Sequence, residues 1–180
     1  STFWVNLYNR LTMSITIDGS GSVTGISLGK VLQVVSTTKT DPFSTASSSF
    51  VDVTGLNVSI TPSSSSSKIF VSVTACGNTN GSKGYGRILR GSTAIAIGDA
   101  DGSKVQATFD MNNAASGNRG QSYVGSILDS PSTTSAITYK LQLRHENGAG
   151  NANINRLHVN DDSSVNGRYA STITAMEVAA

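Results

Sequence analysis

AITYKLQLRH, residues 136–145, alternates without a fault. Ile137, Tyr139, Leu141 and Leu143 share one parity, and Thr138, Lys140, Gln142 and Arg144 share the other. Successive side chains of a strand point to opposite faces, so this pattern puts an apolar face on a core and a polar face in water. A helix would scatter the same residues around its axis. The run therefore reads as a half-buried strand.

KIFVSVTAC (68–76) repeats the logic, with Ile69, Val71, Val73 and Ala75 on one face and Ser72 and Thr74 on the other. Shorter runs of the same kind are KVLQVV (30–35), LNVSI (56–60), GRILR (86–90), TAIAI (93–97), KVQATF (104–109), SYVGSIL (122–128) and STITAMEV (171–178). Gly, Asn, Ser or Asp punctuates nearly every gap. No stripe at i, i+3, i+4, i+7 follows residue 12, so helices should be few. Many short strands at this spacing predict an all-β fold, jelly-roll-like or a β-sandwich.

Two junctions share an order of strand, proline, Ser/Thr run and strand: SITPSSSSSKIFVSV (59–73) with Pro62, and ILDSPSTTSAITYKL (127–141) with Pro131. Proline cannot donate to a ladder, and serines compete for backbone hydrogen bonds in turns. Both tracts read as loops, placed at the same end of a sandwich.

At 180 residues the chain fits one β-domain and a short arm. With 37% hydrophobic residues it can bury a core, and with 13% charged residues it is not a disordered polyelectrolyte. A net charge of +2 from scattered Lys and Arg is too small for a nucleic-acid footprint. No apolar run reaches a membrane span and no basic-then-apolar leader opens the chain, so a soluble protein without membrane insertion is expected. The single cysteine, Cys76, forbids an intrachain disulfide and reads as a small buried hydrophobe.

The division expected is an arm over residues 1–29 and a knob domain over 30–180. The arm opens with STFWVNLYNRL, where Phe3, Trp4, Val5, Leu7 and Tyr8 form an adhesive cluster ahead of the Gly/Ser-rich DGSGS. Too small to build its own core, it docks either on its own domain or on a neighbour. The second choice makes those five residues anchors.

Candidate chemistry is sparse. His145 and His158 lack metal-ligand spacing, the serines have no recognisable base nearby in sequence, and the acidic residues show no preferred pair. Asp99 and Asp101 in GDADGS are weak candidates for calcium, lacking the later ligands of a calcium loop. An Asp/Gly turn is the simpler reading, as for Asp161 and Asp162 in NDDSS. No enzyme activity and no cofactor are expected.

The segment from GKVLQVV to KIFVSV, with RGSTAIAIGDADGS, SILDSPSTTSAITYKLQLR and STITAMEV, resembles tail-fibre-like virion proteins of tailed bacteriophages, especially those of aquatic hosts. The resemblance spans residues 13–178 and rests on phrases, not on a chemical motif. MSITIDGSGSVTGI looks like an opening phrase, which makes the twelve residues before Met13 an added segment. The resemblance implies a β-rich homotrimer on the virion surface, with other virion proteins of the tail or capsid as partners. Phe70 lies opposite the Ile69, Val71 and Val73 face and, with Met176 and Val178, is the natural material for such an assembly.

Two functions then compete. One is a knob that contacts host-surface polysaccharide, with Asn78, Asn80 and Tyr85 of GNTNGSKGYGR supplying amides and a stacking ring. The other is a capsid decoration or cement protein held by its N-terminal arm. A chain starting at Met13 should keep the melting temperature of the full chain and lose incorporation into virions. A clear drop in melting temperature would instead make the arm part of the core.

Overall fold

The alternation of residues 137–145 is realised as a strand buried on one face, with Tyr139, Leu141 and Leu143 each 0% exposed. The computed structural model describes residues 16–17, 23–24, 30–112 and 119–180. In order the strands are β1 (Thr16–Ile17), β2 (Val23–Thr24), β3 (Val31–Lys39), β4 (Phe43–Thr45), β5 (Val51–Ile60), β6 (Lys68–Thr79) and β7 (Gly84–Arg90). They continue with β8 (Thr93–Ile95), β9 (Phe109–Met111), β10 (Gln121–Asp129), β11 (Ile137–His145), β12 (Ala152–Ile154) and β13 (Ser171–Val178). There is no helix among the described residues.

β1 and β2 form a small antiparallel pair, and the other strands make two antiparallel sheets that pack face to face. In the first sheet β6 pairs with β10 on one edge and with β13, then β12, on the other. β3 and β4 run one after the other along the far side of β13 and β12. In the second sheet β11 lies between β5 and β7, and β8 and β9 share the outer edge of β7. The chain crosses between sheets after β4, β5, β6, β9, β10 and β11, which is a jelly-roll-like course.

Inward-facing residues of both sheets form one core, with Ile69, Val71, Val73 and Ala75 of β6 facing Tyr139, Leu141 and Leu143 of β11. The expected strand over 104–109 is corrected: only Phe109 belongs to a strand, and residues 104–108 do not extend it. TAIAI is strand only through Ile95, because Ala96 turns to φ 54°. β5 begins five residues before LNVSI. It takes five steps from Asp52 to Asn57 where β11 takes two from Lys140 to Gln142. Gly55 at φ 79° absorbs that bulge, so Val53 and Leu56 both point inward despite their odd spacing. Cys76 is also corrected: it is half-buried on the outer face of β6, and partial burial raises its thiol pKa.

Both proline junctions do lie at one end. Ile60 pairs with Ile137 and Ile69 with Asp129, so the 61–67 and 130–136 loops leave the sandwich together. The serine tract is tied down there. Glu177 of β13, 0% exposed, accepts hydrogen bonds from Ser63 N (2.7 Å), Ser63 Oγ (2.6 Å) and Gln33 Nε2 (2.6 Å). Pro62 and Ser67 are buried beside it. Burial alone would raise this carboxyl, and the donors from Gln33, Ser63 and Ser67 outweigh it, holding it down at about 2. The layer over the carboxylate is loop, not core.

At the same end Arg90 of β7 grips Asp129 of β10 (2.9 and 3.0 Å), and Tyr139 of β11 donates to the same carboxylate (2.7 Å). The two sheets are thereby clamped by an ion pair whose carboxylate is buried and whose guanidinium is partly exposed. Burial, and then its bond to Asp129, push the Tyr139 hydroxyl well above the usual phenol range.

A carboxyl depressed on folding stabilises the fold above its unfolded pKa, and that contribution fades as pH falls toward the folded value. For Glu177 the window runs from about 4.5 down to about 2. Glu177→Gln should cost about 2 kcal/mol near neutral pH, the scale of hydrogen bonds to a charged group. Chemical unfolding from pH 7 to 3 should show the gap between variant and wild type narrowing, and a constant gap would contradict this account.

Candidate functional site

The outer face of the second sheet is built in rows by its register. Arg144 stands opposite Tyr85, Tyr85 opposite Asp110, and Gln142 opposite both Asp52 and Arg87. Phe50 immediately precedes β5 and extends the first row. The Arg87 guanidinium carbon lies 4.0 Å from the centroid of the Phe50 ring, and that of Arg144 lies 5.9 Å from Phe50 and 5.8 Å from Tyr85. Both cations therefore sit on aromatic faces at one end of the sheet.

Each guanidinium is fixed by neutral acceptors. Arg87 donates from Nε and Nη2 to Gln142 Oε1 (2.9 and 2.8 Å), and Arg144 donates from Nε to His145 O (3.3 Å) and from Nη2 to Glu146 O (2.7 Å). Neither forms an ion pair among the described residues. The neighbouring carboxylates are occupied: Asp52 takes Lys140 Nζ and Gln142 Nε2 (both 2.7 Å), which hold it below the usual carboxylate range. Glu146 takes Ser82 Oγ and Lys83 N. Asp110 lies 4.0 Å from Lys83. Burial lowers Arg87 somewhat, from a value so high that it stays charged.

Tyr85 thus stands in this row, half-buried, while its two expected companions are elsewhere. Asn78 is 0% exposed at the end of β6, where its amide meets His158 Nδ1 at 3.4 Å and its carbonyl accepts from Asn153 Nδ2. Asn80 uses Oδ1 to accept Asn151 N (2.8 Å) and its carbonyl to meet His145 Nε2 (3.0 Å). These asparagines belong to an internal polar seam with Asn155. At φ 60°, Asn155 donates to Lys39 O (2.7 Å) and accepts Ser171 Oγ (2.6 Å). The spacing of Asn78, Asn80 and Tyr85 suggested one cluster, and the strand crossing from one sheet to the other separates them. The Arg87 and Arg144 pair was missed, because nothing in sequence brings residues 50, 87 and 144 together.

Asp99 and Asp101 are exposed, and Asp101 pairs with Lys104 three residues on. No group of three His, Cys, Asp or Glu able to hold a metal occurs among the described residues. His145 is fully buried and its Nδ1 has no partner among the described residues; His158 is half-buried. Asp161 accepts Asn166 Nδ2 in the turn expected of NDDSS, on the rim of an open cavity of about 310 Å3 lined also by Leu157, Val159 and Arg168. Phe3, Trp4, Val5, Leu7 and Tyr8 lie outside the described residues.

Gly25-Ile26-Ser27-Leu28-Gly29 carries the Gly-x-Ser-x-Gly spacing of a nucleophile elbow. It too lies outside the described residues. That motif acts at a strand-to-helix turn, and here a strand, β3, follows it. No protein-family model matches the chain, and no curated protein matches it.

The buried Asn78 and the half-buried Tyr85 should separate on substitution. Asn78→Ala should lower the unfolding free energy by about 1–3 kcal/mol, the cost of stranding buried polar partners. Tyr85→Ala should cost less than half as much. Equal losses in chemical unfolding would mean that Tyr85 is part of the scaffold.

Proposed function

We propose that the protein is a non-enzymatic structural component of a tailed-bacteriophage virion, a homotrimeric tail-fibre-like knob on the virion surface that contacts host-cell glycan. Virion kind and threefold state come from the sequence resemblance. The fold supports the reading, because a jelly-roll-like sandwich offers two broad sheet faces, one for neighbours and one for a ligand.

The observation that carries it is the outer face of the first sheet. Pairing aligns Val34, Met176, Phe70 and Leu128 in one row across four strands. The next row is Ser36, Thr174, Ser72 and Ser126, and the next Thr38, Thr172, Thr74 and Val124. None of these twelve positions is charged. Val34, Val124 and Leu128 are 54%, 61% and 56% exposed. Lys68 closes the face at one end, opposite Val178.

An uncharged face with an apolar band suits another copy of itself, since it offers a charged partner nothing to pair with. Strand and row spacing give it roughly 20 by 20 Å, on the order of 400 Å2 per copy. A stable interface takes about 800 Å2 per partner, so this face supplies about half of what an oligomer needs. Cyclic closure would hide the band and multiply weak glycan contacts.

Light scattering on the full chain should give three times the chain mass. Phe70→Lys and Met176→Lys should each shift it to monomer with the β circular-dichroism spectrum kept. A monomeric wild type, or variants that stay assembled, would remove the basis of the proposal. Copy number in purified virions sorts the setting: roughly a few dozen or fewer fits a fibre, and hundreds would point to capsid decoration.

A further inference from the structure

We infer that the outer face of the second sheet, around Arg87, Arg144 and Tyr85, binds a carboxylate-bearing polysaccharide, a chain of uronic-acid pyranoses; this deepens the glycan-contact reading above and rests on it. The chemistry is selected by what the two arginines lack. Each guanidinium is held by two hydrogen bonds to neutral oxygens, and each keeps Nη1 without a protein partner among the described residues. The cations are thus oriented before any ligand arrives and are not neutralised by the fold. Planar guanidinium suits planar carboxylate, so an ionised sugar acid fits where a neutral sugar would leave the charge unused.

The surroundings agree. Lys140 and Gln142 occupy Asp52, and Ser82 and Lys83 N occupy Glu146, so these two carboxylates do not compete for the arginines. Tyr85 lies between Arg144 and Asp110 in its row, half-buried, with Arg144 5.8 Å from its ring centroid. An aromatic ring beside a cation can take the C–H face of a pyranose while the cation takes its carboxylate. The site is a sheet face and not an enclosed cavity, which suits a long polymer passing over it. Two unpaired cations are too few to hold a phosphate backbone, and net charge +2 agrees.

The test uses the full-length protein and titration calorimetry with three acidic oligosaccharides, of galacturonate, of alginate and of hyaluronate, each beside its methyl ester. At least one acid should bind, its ester should bind about tenfold more weakly or not at all, and salt should weaken the acid alone. Arg87→Gln and Arg144→Gln should each weaken it by about tenfold, and Arg87→Lys should not restore it fully. Asp110→Asn should tighten binding, since it removes a negative charge from the same row; unchanged melting temperatures show that each variant is folded.

Equal affinity for acid and ester, or full affinity in both arginine variants, would overturn the anionic site and leave neutral glycan contact standing. If all three acids fail to bind and neutral host polysaccharide fails as well, both readings fall. If neutral polysaccharide alone binds, only this inference falls.

Discussion

β13 is hydrogen-bonded along both edges, to β3 on one side and β6 on the other, and most of the first sheet depends on that insertion. Without it β3 loses its partner, and the core loses Ile173 and Ala175. The same strand carries Glu177, which reaches the loop ahead of β6 and holds it by Ser63. One C-terminal segment therefore closes a sheet, completes a core and orders a serine tract that has no regular structure of its own. Such pairing joins residues about a hundred or more positions apart, and loop-closure entropy makes contacts of that kind late and slow to form.

The two sheets share a core and differ outside it. On the first, hydroxyl and apolar rows exclude charge over three complete rows. On the second, Arg87, Arg144, Lys140, Asp52 and Asp110 stand on the outward side of β5, β7, β9 and β11. Both patterns come from the outward parity of each strand, the half of the alternation that the core does not constrain. Leu89 marks a limit to this division: it lies on the outward parity of β7, between Lys140 and Ala94, yet is 2% exposed and stands apart from the main core.

Polar groups at the two ends of the sandwich are handled differently. Where the proline loops leave, Arg90, Asp129, Tyr139 and Glu177 use charge-assisted hydrogen bonds inside a thin cover. Where β12 and β4 meet β6, Asn78, Asn80, Asn153 and Asn155 use neutral amides to satisfy backbone that short strands leave open. Neutral amides avoid the desolvation cost of burying charge while still supplying donors and acceptors.

Local alternation was enough to read β3, β6, β10, β11 and β13, because a strand with one dry face writes a period of two into its own residues. It failed wherever tertiary packing overrode that period. β4 and β12 are three residues each, β12 pairing with β6 and β4 only with β12, so no window of sequence is long enough to show them. The first half of β5 is hidden by the bulge at Gly55, which moves Val53 and Leu56 to the same side. KVQATF alternates as well as any strand and finds a partner only from Phe109 onward. Tyr85 could be singled out from its neighbours, but the arginines that flank it could not, since register alone sets which outward residues meet. The sequence by itself determined the inward face of the long alternating strands and that the fold is all-β; the tertiary structure decided strand order, and with it the uncharged face, the buried asparagines and the two cations on aromatic rings, because cross-strand neighbours are fixed by hydrogen-bond register between distant segments.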